Sequence, residues 1–122
     1  MAKRGTYQTG LYAEAAAAMM LRVKGYKILA KRYKTSFGEI DLVAAKKDWL
    51  IFVEVKARAK QRKAREAVSR KSQSRIANAA KIFLAEHPLY MNANMRFDVV
   101  TVAPGQFPRH HENMWQNETE VL

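Results

Sequence analysis

Residues 38–58, GEIDLVAAKKDWLIFVEVKAR, limit the fold more than any other part of the chain. Residues 40–45 and 49–55 are short runs of β-branched, aromatic and other apolar side chains. The polar Lys46-Lys47-Asp48 lies between them, a pattern that predicts a β-hairpin. Into these otherwise apolar strands the sequence sets Glu39, Asp41, Glu54 and Lys56. Regular alternation would put Glu39, Asp41 and Val43 on one face and Ile40 and Leu42 on the other. Glu54 and Lys56 would likewise share a face, opposite Ile51, Val53 and Val55. In a hairpin with a loop of two or four residues, paired positions have an odd sum, as 41 and 54 do. Asp41 and Glu54 would then lie on one face, directly opposite or one diagonal step apart. A three-residue loop with a bulge would break that register.

Two carboxylates so close repel unless positive charge lies between them, and taking either out of water without a partner costs free energy. Two arrangements answer this. Lys56 or a nearby arginine could complete a salt-bridge network, or a hard divalent cation could be held by oxygen ligands. Magnesium typically uses one or two protein carboxylates and leaves its other positions to water and substrate phosphate. In phosphodiester cleavage such an ion generates a hydroxide-like nucleophile and stabilises charge on the phosphoryl oxygens. Lys56 beside it could orient or deprotonate the attacking water and neutralise the oxyanion. Acid, acid and lysine on adjacent strands therefore have a chemical rationale in phosphodiester hydrolysis.

The surrounding charge points to the same substrate class. The formal net charge is +11 and is unevenly spread: residues 22–34 hold six basic side chains and no acid, and residues 56–75 hold nine with one acid, Glu66. Such concentrations attract a polyanion, and nucleic acid is the expected one. A structural RNA-binding role fits the charge equally well. With 122 residues, 48% of them hydrophobic, the chain is expected to be one domain, 1–122. The absence of cysteine excludes a disulfide framework and a thiolate zinc site. The longest apolar run, 15–21, is far short of the roughly 20 residues of a membrane span. Residues 1–10 lack the form of a secretory signal, so a cytoplasmic protein without membrane contact is expected. His110-His111 has no third partner nearby for a metal, and no glycine-rich phosphate loop or H-E-x-x-H occurs.

Around the hairpin, the alanine-rich residues 11–23 predict a helix ending at Gly25. Residues 26–33 predict a lysine-bearing edge strand. Residues 64–86, with Val68, Ile76, Ala79, Ala80 and Phe83 at helical spacing, predict a long helix closed by Pro88. The apolar residues 97–103 predict a strand covered on both faces. Trp49 and Phe52 fit core packing better than base stacking. The order argues for an α/β fold with a mixed sheet between helices. The expected core is about 10–103, with 104–122 an extended or poorly ordered tail.

Asp41 followed by Glu54-Val55-Lys56 resembles the D-x(n)-E-x-K signature of the restriction-endonuclease-like nucleases, whose core has the same αβββαβ order. More closely, Gly10-x-x-Ala13-Glu14, Gly38-Glu39-Ile40-Asp41-Leu42 and Phe52-Val53-Glu54-Val55-Lys56-x-Arg58 resemble the YraN-like bacterial proteins. These are similar in core to archaeal Holliday-junction resolvases. The resemblance covers about residues 10–102. It implies Mg2+ or Mn2+ bound by Asp41, Glu54 and the main-chain carbonyl of Val55, with Glu39 a further ligand or a neighbour of one. It makes Lys56 the catalytic lysine and brings Glu14 toward the metal from the first helix. Gln73 and Arg75 match polar positions that face the site. With Arg58, Lys60, Arg62, Lys63, Arg70 and Lys71 they are the expected nucleic-acid contacts. Two functions follow as expectations: a metal-dependent DNA endonuclease acting on branched or flapped structures, and a non-catalytic nucleic-acid-binding protein that retains the nuclease fold. A small phosphate ester is a poorer fit to so much basic surface. Cutting both strands of a junction would call for a homodimer.

Overall fold

A computed structural model describes residues 2–57 and 68–115. The chain runs α1 (Ala2–Val23), β1 (Lys27–Lys34), β2 (Glu39–Lys46), β3 (Trp49–Ala57), α2 (Arg70–Glu86), a 3-10 turn (Pro88–Tyr90), β4 (Asn94–Val102) and β5 (Arg109–Trp115). The strands form one mixed sheet in the order β1-β2-β3-β4-β5. β3 and β4 are parallel, and the other neighbouring pairs are antiparallel. The αβββαβ core is the one the sequence predicts. Residues 104–122, expected to be an extended or poorly ordered tail, supply a fifth strand whose Trp115 stacks on Phe97.

Each helix covers one face of the sheet. α1 buries Ala13, Ala17, Ala18 and Leu21, and these pack on Leu42, Ala44, Ile51, Val53, Val100 and Val102. α2 buries Ile76, Ala77, Ala79, Ala80 and Phe83 against Ile40, Val43, Leu50, Phe52, Phe97 and Val99. Phe52 and Phe83 are both fully buried and meet edge to face. Burying a ring of this size stabilises the fold by about 1.5–3 kcal/mol. The second helix begins later than its periodicity suggests. Ser69 caps it, its hydroxyl accepting the Ser72 N–H at 3.1 Å, so Val68 packs in the core from outside the helix.

The strict alternation expected of β2 fails at one place. Ile40 packs in the α2-side core and Leu42 in the α1-side core, although residues two apart in a regular strand share a face. The partner strand follows without a change of register, the one shift between β1 and β2 lying earlier, between Ile28 and Ala30. Tyr33, opposite Ile40, packs on the α2 side, while Lys31 lies opposite Leu42. Between them Arg32 is left-handed, with φ 50°, and it faces Asp41 across the ladder. A non-glycine residue there costs on the order of 1–2 kcal/mol, so the switch is held by the cores on either side. Its result is that Asp41 leaves the regular pleat.

Gly38 opens β2 and lies against α2. A Cβ at this position would come within 2.0 Å of the Arg75 carbonyl oxygen and 2.9 Å of its Cα. Nothing at the end of a flexible side chain is available to yield. Gly38→Ala should therefore push the β1–β2 turn off α2 and destabilise the protein by about 1–3 kcal/mol. Calorimetry should show the midpoint falling by roughly 4–8 °C per kcal/mol, given the size of the domain. An unchanged midpoint would mean that the turn is not docked on the helix.

Candidate active site

Pairing between β2 and β3 runs from Lys46↔Trp49, across a two-residue turn, to Leu42↔Val53. Continued one step, this register brings Asp41 opposite Glu54, as the hairpin arithmetic expects. The ladder stops there, and a side chain takes its place: Asp41 Oδ2 accepts the Val55 N–H at 2.8 Å. A strand residue presents its N–H and C=O to the same edge, so the Val55 carbonyl faces the same gap. The opening widens into a cavity of about 380 Å³ at the end of the sheet, between the two helices. Glu39, Asp41, Glu54, Val55 and Lys56 line it from the strands, Gly10, Ala13 and Glu14 from α1, and Ser72, Arg75 and Ile76 from α2.

The electrostatics of this gap are unbalanced. Burial, then a hydrogen bond with Glu54 and that group's negative charge, push the Asp41 carboxyl up to about 8, while the Val55 N–H and the Lys56 charge pull it back. Lys56 Nζ lies 3.4 Å from Glu54 Oε2, so part of the salt-bridge arrangement is present. It does not offset burial and the Glu54 charge, which still leave the Asp41 carboxyl raised. Asp98, fully buried in β4, makes the comparison sharp. Burial would raise it too, but His110, Arg96 and the Asn113 N–H outweigh burial and hold it below the usual carboxylate range. Asp98 is therefore a completed structural charge network, and Asp41 is a carboxyl short of a cation. A half-buried carboxyl displaced in this way inside a cleft, with a named charged neighbour, is a functional-site candidate.

The donors in the gap suit a hard divalent ion. Two carboxylates and a main-chain carbonyl are oxygen ligands of the kind magnesium and manganese take, and a bound cation would replace the proton on Asp41. Among the described residues no three His, Cys, Asp or Glu side chains converge, so Glu39 and Glu14 line the cavity without closing a three-carboxylate group with Asp41 and Glu54. Glu14 is held by a second residue: its Oε1 accepts the Arg32 Nε–H at 2.8 Å.

The expected nucleic-acid contacts separate into three sets. Arg75 lines the cavity together with Ser72 and Ile76, which share its helical face. Gln73, expected to face the site, is one position off that face, and its Nε2 donates instead to the Val68 carbonyl at 3.1 Å. Arg70 and Lys71 are exposed in the first turn of α2. Arg58, Lys60, Arg62 and Lys63 lie outside the described residues. Ser72 and Arg32 were not anticipated. The i, i+4 spacing of Ser72 to the buried Ile76 could have indicated the former; nothing in the sequence marks the left-handed backbone of Arg32.

The model of uncharacterised protein family UPF0102 matches residues 13–102, a span that contains Glu14, Asp41, Glu54, Lys56 and Arg75. The chain belongs to this family. The YraN-like resemblance thus holds. This UPF0102 chain is 51% identical over 104 residues to a UPF0102 protein of Bradyrhizobium sp. strain BTAi1, spanning 85% of the chain and 76% of that relative. It is 49% identical over 104 residues to one from Nitrobacter winogradskyi, spanning 85% and 88%. A Mesorhizobium japonicum relative is 46% identical over 111 residues, spanning 91% and 89%. These names carry no reaction, so activity has to be argued from the site.

The raised Asp41 carboxyl has a consequence for stability. An acid raised in the folded state binds more protons there than in the unfolded chain between its unfolded pKa, near 4, and its folded value. Its contribution therefore falls as pH rises from about 4 to about 8. In buffer with a chelator, the unfolding midpoint of the wild type should drop across this window more than that of Asp41→Asn, with the largest gap above pH 8. Parallel profiles would show that Asp41 carries no such proton.

Proposed function

We propose that this UPF0102 chain is a divalent-metal-dependent nuclease that hydrolyses phosphodiester bonds in DNA. One observation carries the reading: Asp41 and Glu54 converge on the Val55 main chain where two strands part, beside Lys56, in a cavity open between two helices. Asp41, Glu54 and the Val55 carbonyl would hold Mg2+ or Mn2+. When bound, the ion would supply an acidified water and stabilise charge on the phosphoryl oxygens. Lys56, tethered near Glu54, would orient the attacking water and offset the developing oxyanion. Arg75 and Ser72 reach the cavity from α2 as donors to the non-bridging oxygens or the neighbouring phosphate. Arg70 and Lys71, in the first turn of the same helix, extend that positive edge and would hold the polymer through its backbone.

The uneven charge favours a second reading, a nucleic-acid-binding protein that keeps the fold and does no chemistry. Labelled single-stranded, duplex, flapped and four-way DNA, and RNA, incubated with magnesium or manganese, separate the two. The nuclease reading expects cleavage by the wild type, none by Asp41→Asn, and a rate lower by about 10²–10⁴-fold in Lys56→Met, with binding retained in both variants. Binding without cleavage in all three, independent of metal and falling with salt at about 0.9 log units per phosphate contacted per tenfold salt, would favour the second.

A further inference from the structure

The turn between β1 and β2 holds an apolar ring out in water. Phe37 is 64% exposed, yet the backbone beneath it is fixed. The Thr35 hydroxyl accepts the N–H groups of Phe37 at 3.1 Å and Gly38 at 3.0 Å, and donates to the Gly38 carbonyl at 2.8 Å. The Thr35 N–H donates to that same carbonyl at 2.8 Å. Both lone pairs and the proton of one hydroxyl are thus committed to this turn. Gly38, the next residue, lies against the Arg75 backbone. Phe37 is therefore presented by a turn docked on the helix that lines the cavity, two residues ahead of Glu39.

Distance and surroundings define what could cover the ring. At about 3.3 Å per residue, the Phe37 Cα is within roughly 13 Å of that of Asp41. One base step along a strand of duplex DNA rises about 3.4 Å, so the ring stands within about four steps of a phosphodiester in the cavity. Phe37 lines a shallow hollow with exposed Lys34, with Tyr33 and Ile82, and with Glu86, whose carboxylate is engaged by the Tyr33 hydroxyl. Arg75 is near through its backbone contact with Gly38. The exposed cation beside the ring, Lys34, suits a flat, apolar group attached to phosphate. The other aromatics weighed for this role are unsuitable. Phe52 is fully buried, and Trp49, at the far end of β3, is covered by the Arg96 guanidinium 5.0 Å from its ring centre. In continuous duplex every base face is already stacked on its neighbours, so a protein ring finds a partner without an unstacking cost where a nucleotide is unpaired.

We propose that Phe37 is a stacking platform for an unpaired nucleobase within about four nucleotides of the bond in the cavity, which makes nucleic acid with a single-stranded or flapped segment the preferred substrate class. The placement of that bond rests on the nuclease reading, whereas the stacking needs no catalysis. The test is binding in chelator, at fixed salt, of labelled duplex and of the same duplex carrying an unpaired flap, in DNA and RNA versions. Wild type should prefer the flap. Phe37→Ala, with an unchanged unfolding midpoint, should lose about tenfold affinity for the flap and less than twofold for the duplex. Phe37→Trp should restore the preference, its added fluorescence quenched by the flap and not by the duplex. The polymer that shows the effect identifies the sugar. Equal losses on both forms, or none, in DNA and RNA alike, would overturn the proposal. Absence of cleavage would sink the nuclease reading and leave this result standing, and cleavage with no flap preference to lose would sink the proposal alone.

Discussion

The hydrogen bond from the Val55 N–H to the Asp41 carboxylate is the contact on which the site depends. It occurs where β2 and β3 stop pairing, and it substitutes a side chain for the next rung of backbone ladder. A sheet interior ordinarily leaves no polar group unmet, and here the need of one part-buried N–H fixes the direction of the Asp41 carboxyl. The same carboxylate is thereby pressed against Glu54. Satisfying an amide and standing beside a second acid are separate demands on one carboxyl, and Asp41 is raised well above the ordinary aspartate range by burial and by Glu54 even though Val55 and Lys56 pull it down.

The rest of the fold arranges for that contact to exist. Leu42 and Ile40 enter opposite cores, and the left-handed Arg32 lets β1 follow the same switch. Arg32 also binds Glu14, so the irregularity in the sheet and the position of the α1 glutamate are linked through one residue. α2 approaches closely enough at Gly38 to exclude any side chain there, which brings Ser72 and Arg75 to the cavity. Strain, close packing and the two helices all act at one end of the sheet. The other buried ionic cluster, around Asp98, is complete in itself and ties β5 to β4 through Asn113 and His110.

Much of this was legible in the residues. The polar Lys46-Lys47-Asp48 between two apolar runs gave the hairpin, and its register followed from the parity of 41 and 54. The alanine-rich stretch and the spacing of Ile76, Ala80 and Phe83 gave the helices and their buried faces. The switch at Asp41 was not legible, because alternation is a rule about regular strands and a left-handed arginine has no sequence signature. The periodicity carries the second helix back through Val68, which is apolar and in phase, but Ser69 caps the Ser72 amide and leaves Val68 outside α2. Residues 64–67 of the predicted helix lie outside the described residues. The fifth strand was missed because Arg109, Glu112 and Asn113 are exposed and its burial is confined to a few positions such as Trp115, which leaves no clear alternation. Gln73 was placed by analogy with related nucleases, and only the helix rotation shows that Ser72 and Arg75 take the cavity instead.

The central claim is that Asp41 and Glu54 together form a cation site that now holds a proton. Calorimetric titration of the metal-free protein with Mn2+ at pH 7, repeated in buffers of different ionisation enthalpy, addresses it directly. The account predicts one saturable binding event at the site that releases protons to the buffer, and that is lost in Asp41→Asn and in Glu54→Gln. Absence of binding, or binding that survives both substitutions with no proton release, would contradict it.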